Sequence, residues 1–137
     1  DLSGLGAALN GGRWNRKGTP VLYTGESREI ALLETVVHTP PLLVPALDLL
    51  VLDIPDDSIS EFNIADLPPN WIEYPAPAIL AELGEAWLQE GRTIALKVPS
   101  CIVDSAHNYL LNPRHPEYQR VQLVEHSPFR LDKRLLK

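Results

Sequence analysis

Arg13 follows Gly11 and Gly12, a backbone that permits close approach, and its guanidinium can fork onto a phosphate or a carboxylate. An ordinary surface Arg is the alternative. Trp14 and Tyr23 offer aromatic faces for a base or a nicotinamide ring, although both residue types also fill cores. Glu34 stands at the edge of an apolar helical stripe, where a carboxylate is either partly desolvated or aimed into a cleft. His38, one turn later, can pair with it, and the two then form a surface pair at i,i+4 spacing. Ser100 after Pro99 is either a hydroxyl ligand or a turn residue. Other chemistries lack support. No serine sits in a Gly-x-Ser-x-Gly elbow. His38, His107, His115 and His126 make no compact metal spacing, so no metal is expected. Cys101 has no neighbouring motif that would activate its thiol and reads as structural.

The elements that must position these groups are short, because 13 prolines and 8 glycines interrupt the chain. Residues 1–12 hold Gly4, Gly6, Gly11 and Gly12 and read as a loop. Val21 to Tyr23 read as a strand closed at Gly25, and Ser27 caps a helix that runs to about His38. Ile30, Leu33, Val36 and Val37 form the buried stripe of that helix, and Pro40 and Pro41 stop it. A strand is predicted over Leu49 to Ile54, with an irregular connection over 55–74. Pro77 opens a second helix over Ala78 to Glu90, with Gly91 as its stop signal. Thr93 to Val98 and Val121 to His126 read as strands, Asn108 to Pro116 as a loop, and Phe129 to Leu131 as a further short strand. The predicted class is α+β with a mainly antiparallel sheet.

A chain of 137 residues, 45% hydrophobic and 22% charged, suffices for one domain spanning 1–137 with its own core. No apolar run approaches the roughly 20 residues of a membrane span. The expected setting is cytoplasmic, since Cys101 has no disulfide partner within the chain. The chain starts at Asp1 and contains no Met, so its natural start is expected upstream. The net charge of −6 is unevenly spread: residues 48–90 carry −10 without a Lys or Arg, and residues 91–137 carry +4. That sign disfavours nucleic-acid binding by bulk electrostatics.

Spacing adds more. Gly11-Gly12-Arg13-Trp14-Asn15 is followed by Gly18, Val21, Tyr23-Thr24, Glu26-Ser27 and Ala31-Leu32-Leu33-Glu34 leading to His38. Val98-Pro99-Ser100, Asn108-Tyr109-Leu110-Leu111-Asn112-Pro113 and His115-Pro116 come later. In this order, from about residue 4 to residue 131, the chain resembles the RES domain family, the toxin half of bacterial toxin–antitoxin pairs. The resemblance implies a fold similar to ADP-ribosyltransferase domains, NAD+ as substrate, and an antitoxin partner with an Xre-like helical domain. It also implies that Arg13, Tyr23, Glu34 and Ser100 line the NAD+ pocket, with Asn112 and Trp14 beside them. Glu34 would stabilise positive charge developing on the ribose or orient the acceptor, Arg13 would hold the pyrophosphate, Tyr23 would stack on nicotinamide, and Ser100 would bond the carboxamide or ribose.

Three acceptors are open: water, phosphate, or a side chain of a metabolic protein, the last making a mono-ADP-ribosyltransferase. A binding module without catalysis is a further alternative. The antitoxin is expected to contact the acidic 48–90 stretch or the region Phe129 to Leu131.

Overall fold

Between its glycines and prolines the chain forms α1 (Leu5–Asn10), β1 (Leu22–Gly25), α2 (Arg28–His38), β2 (Leu47–Asp53), β3 (Ile59–Glu61), α3 (Ala78–Glu90), β4 (Ala95–Pro99), β5 (His107–Leu111) and β6 (Gln122–Phe129). This is seen in a computed structural model, which describes residues 1–39 and 46–136. Four strands form a sheet in the order β1-β5-β4-β3, and β2 pairs with β6. Every pair is antiparallel except β3 with β4. The predicted class is therefore observed. Among the described residues no helix is long and apolar enough to cross a membrane.

Alternation along the strands assigns the sheet two faces. Tyr23 pairs with Leu110, and Leu110 with Leu96, so these three share one face. Leu22, Thr24 and Tyr109 point the other way. The first face is covered by α3, whose Leu80, Gly84, Glu85, Trp87 and Leu88 are buried. Leu96, Val98 and Leu110 meet them, with Trp14, Val21, Leu67 and Trp71 closing the core. Burial of each large apolar side chain is worth roughly 1.5–3 kcal/mol. Because Trp14 is part of this core, the loop that carries Arg13 is anchored to it.

The capping signals read from the sequence are used as expected. Ser27 Oγ accepts from the Ile30 amide at 3.2 Å and starts α2. Gly91 ends α3 in the left-handed region at φ 63°, its N–H donating to the Trp87 carbonyl.

Four expectations are corrected. The 1–12 stretch contains α1, because its glycines lie mostly at the ends of a helix-forming Leu5–Leu9 core, with Gly4 and Gly11 at φ 73° and 72°. Segment 55–74 contains β3, a three-residue strand held by parallel pairing to β4. Asn108 to Leu111, read as loop, lie in β5 at the centre of the sheet, where neighbours on both sides override the local turn propensities. Phe129 ends β6 instead of opening a separate strand. Pro128 is tolerated within β6 because, among the described residues, that strand pairs with β2 alone and has an open edge that needs no N–H. The predicted helix stop at Pro40 and Pro41 lies outside the described residues.

Candidate functional site

The Gly11–Asn15 block folds back on itself, with the Gly12 amide donating to the Asn15 carbonyl at 3.0 Å. At the tip, neighbouring side chains diverge. Trp14 turns inward, 3% exposed, with its ring centroid 6.0 Å from that of Phe62. Arg13 turns along the surface, where Nη1 donates to the Trp71 carbonyl at 2.7 Å and Nη2 to the Glu73 carbonyl at 3.1 Å. A guanidinium has five N–H donors, so these two bonds fix its plane and leave the others for a ligand.

Asn15, 2% exposed, organises the turn from beneath. Its Nδ2 donates to the carbonyls of Ala7 and Thr19, each at 3.0 Å, and of Arg16 at 3.2 Å. With its amide nitrogen donating, Oδ1 is the acceptor for the Tyr23 hydroxyl. Tyr23 Oη in turn accepts from the Trp14 amide at 3.1 Å. Gly12 permits this approach, since a Cβ there would lie 2.7 Å from Tyr23 Oη and 2.9 Å from Asn15 Oδ1. Burial pushes the Tyr23 phenol up to about 12, against the lowering effects of the Trp14 amide and Arg13, while Glu85 adds to the rise. Tyr23 is thus a neutral donor throughout the physiological range, and its side chain still leaves 38% of the residue exposed.

Two residues separate β1 from α2, and the helix packs against the strand. The fit is close: a Cβ on Gly25 would lie 2.8 Å from the Ala31 amide nitrogen. Glu34 lies three residues beyond Ala31, about one helical turn along α2. The Glu34 side chain is 28% exposed and lies 4.0 Å from His38 Nε2. Glu34 thus pairs at i,i+4 spacing with a side chain that is partly buried.

A cleft of roughly 520 Å³ opens between β1 and β2. Leu22, Tyr23, Thr24 and Tyr109 wall one side, the first turn of α2 closes an end, and Leu49 to Leu52 wall the other side. Such a volume suits a small-molecule ligand. Arg28 stands at this cleft and bonds both carboxylate oxygens of Glu125 on β6 at 3.1 Å, tying α2 to the two-stranded ribbon. A wider, more open concavity beside Leu47, Phe129 and Arg130 contains none of the expected site residues.

The structure brings Arg13, Trp14 and Tyr23 together and sets Glu34 one helix turn beyond Ala31 of the cleft. Ser100 and Asn112, expected to line a pocket, are buried and, like Arg13, Trp14 and Glu34, are not part of the cleft lining. Ser100 is 1% exposed, and its Oγ accepts from the Ile102 and Val103 amides at 3.1 and 3.2 Å. Asn112 is 2% exposed, its Nδ2 donating to the Leu88 carbonyl and its Oδ1 accepting from the Arg114 amide. Both side chains are occupied in holding turns, for which a hydroxyl or amide next to proline is a sufficient reason. Asn15, Thr19 and Glu85 were given no role by the sequence reading. The available signal was Gly84 with Glu85 inside α3: glycine within a helix costs about 1 kcal/mol relative to alanine and marks close packing.

Residues 1–132 match the RES domain family. The chain is 37% identical to the Prs ADP-ribosylating toxin of Sphingobium sp. (strain YBL2), over all of this chain and 88% of that protein. It is 38% identical to Toxin Res of Yersinia enterocolitica serotype O:8, over 97% of this chain and 89% of that one. Its fold is similar to a chain in the crystal structure of the M. tuberculosis MbcT-MbcA toxin-antitoxin complex, with a TM-score of 0.79 at 20% identity, covering 98% of this chain and 79% of the other. The anchored Arg13 turn and the β1–α2 unit around Tyr23 and Glu34 are thus the framework of a protein that belongs to the RES domain family.

Proposed function

We propose that this chain is the toxin of a bacterial toxin–antitoxin pair and that it binds NAD+, cleaves the nicotinamide–ribosyl bond and transfers ADP-ribose to an acceptor. The observation that carries the reading is the Arg13–Trp14–Asn15–Tyr23 hydrogen-bonded cluster, of which Tyr23 also belongs to the lining of the cleft between β1 and β2. Relatives named as an ADP-ribosylating toxin and as Toxin Res support it.

Each residue has chemistry suited to this reaction. Breaking the bond to nicotinamide leaves positive charge on the ribose, as in glycoside cleavage, so a carboxylate held beside the sugar lowers the barrier. Glu34 supplies that carboxylate from α2, which packs closely on Gly25 of β1. Arg13 directs its remaining donors to the pyrophosphate, which fixes the ribose before reaction. Tyr23 offers its exposed ring to nicotinamide, with its hydroxyl held so that the ring plane is set in advance. Trp14 serves from within the core by anchoring Arg13. The role of Ser100 and Asn112 in this reading is to hold the turns that follow β4 and β5.

The name of the Sphingobium relative favours a protein acceptor over water or phosphate. The partner is an antitoxin, with an Xre-like domain in the family pattern, and the setting is the cytoplasm. Mass spectrometry of the purified protein with NAD+, with and without phosphate or bacterial lysate, tests the whole reading. A protein gaining one ADP-ribosyl unit supports the transferase, and free ADP-ribose or its phosphorylated form supports a small-molecule acceptor. Intact NAD+ under all conditions rejects the enzyme and leaves the binding module.

A further inference from the structure

Glu85 is a buried carboxylate that the proposed reaction does not use. It lies in the middle of α3, 8% exposed, next to Gly84, where a Cβ would overlap the Trp14 carbonyl oxygen. Helix and loop are therefore in direct contact here. Glu85 Oε1 accepts from the Thr19 hydroxyl at 2.6 Å. Oε2 is buried and meets no donor among the described residues. A charged group taken out of water is costly unless it is fully paired, so a carboxylate held by one hydroxyl needs a reason beyond packing.

The hydrogen bonds around it run in one direction. Thr19 gives its hydroxyl proton to Glu85, and its carbonyl accepts from Asn15 Nδ2. Because that amide nitrogen donates, Oδ1 faces the Tyr23 hydroxyl and accepts its proton. Tyr23 Oη can then accept from the Trp14 amide, adjacent to Arg13. Turning the Asn15 amide over would set its oxygen against the carbonyls of Ala7, Arg16 and Thr19, and the Trp14 amide can only donate. Glu85 and Arg13 also act on the Tyr23 hydroxyl with opposite electrostatic sign, so the acid, the base and the phenol form one cluster.

We propose that Glu85 is a positioning residue for the candidate NAD+ site: by holding Thr19 it fixes Asn15, and through Asn15 the orientation of Tyr23 and the turn that carries Arg13. The inference rests on the ADP-ribosyl-transfer reading above. It assigns to Glu85 an effect on ligand binding, because Arg13 and Tyr23 are binding groups, and little effect on the chemical step carried by Glu34.

The test compares wild type with Glu85→Ala, Glu85→Gln and Thr19→Val. It measures kcat and KM for NAD+ separately, together with thermal unfolding and hydrogen exchange of the Trp14 amide. Glu85→Ala raises KM about tenfold while kcat changes by less than about threefold. It also speeds exchange at Trp14, whose amide loses a fixed acceptor. Glu85→Gln still offers Oε1 to Thr19 and restores both. Thr19→Val reproduces the alanine effect, and combining the two changes adds nothing, as expected of residues acting through one contact. A folded Glu85→Ala protein with wild-type KM and wild-type Trp14 protection overturns the assignment, as does a glutamine variant impaired as badly as the alanine one. If Glu85→Ala does not fold, Thr19→Val against Thr19→Ser makes the same comparison. A wild type that consumes NAD+ beside an unaffected Glu85→Ala rejects the role of Glu85 alone. A wild type that leaves NAD+ intact, with and without protein acceptors, rejects the NAD+ reading and this role with it.

Discussion

Tyr23 leaves its ring open at the edge of β1 while its hydroxyl is fixed between the Trp14 amide and Asn15 Oδ1. Burial of that hydroxyl pushes the phenol up to about 12, above the ordinary value of 10.0. As pH rises the unfolded chain therefore loses this proton first, and the folded state is favoured less. The contribution is fully present below about pH 10 and is lost between there and about pH 12. Tyr118, raised by burial in the same direction, adds to the loss. In Tyr23→Phe the Trp14 amide and Asn15 Oδ1 lose their partner, which costs about 1–3 kcal/mol at neutral pH. Urea unfolding at pH 7, 10 and 11 should show this deficit, together with a shallower alkaline decline than wild type.

Glu34 should behave differently. Glu34→Gln keeps the shape of α2 and removes the charge that matters as the glycosidic bond breaks, so turnover of NAD+ should fall about a hundredfold or more with binding nearly unchanged. Measurement of kcat beside calorimetric binding checks it, and near-normal turnover in a folded variant would remove Glu34 from the reaction. Arg13, Tyr23 and Glu34 could be singled out because residue type and spacing are properties of the chain. Asn15, Thr19 and Glu85 could not, because what distinguishes them is burial and the direction of a hydrogen bond, which appear only when α3 meets the 12–19 loop.

That meeting is set by Gly84 on α3, whose missing side chain lets the helix touch the Trp14 backbone. Gly84→Ala must push helix and loop apart or twist one of them, and overpacking of this kind costs about 1–3 kcal/mol. The usual gain in helix propensity from alanine, about 1 kcal/mol, offsets only part of it. A lowered Tm, with Trp14 more exposed by fluorescence, is the expected outcome, and an unchanged Tm would show that the contact is slack. The elements whose signals are local were readable: Ser27 capping α2, Gly91 closing α3, and the apolar run of β2. The exceptions have specific causes. The first, α1, buries no residue and is framed by glycines, so no apolar stripe announces it. In β3 there are three residues, and only pairing with β4 defines them. For β5, asparagine and proline flank a strand that owes its form to neighbours on both sides. Local propensity identifies elements that stabilise themselves, and these three are stabilised by contacts distant in sequence.

On the scale of the whole molecule, the two sheets are joined by the cleft beside β1 and β2, and Arg28 with Glu125 ties α2 to β6 beside it. A ligand seated there touches both units at once and should therefore stabilise the fold as a whole. Binding to the native state alone adds about 2.7 kcal/mol when the ligand is at a hundred times its Kd. In a domain of this size that corresponds to a rise in Tm of roughly 5–10 °C. The experiment needs a protein that does not consume the ligand, so Glu34→Gln with NAD+, or wild type with a non-cleavable NAD+ analogue, is the proper sample. Both should gain the shift, and Arg13→Ala, which loses the donors held by the Trp71 and Glu73 carbonyls, should lose most of it. The cognate antitoxin should suppress the shift if it covers the cleft and leave it intact if it docks on the open concavity near Phe129 and Arg130. A single set of melts thus separates the role of Glu34 in chemistry from that of Arg13 in binding, and shows which face of the molecule the antitoxin covers.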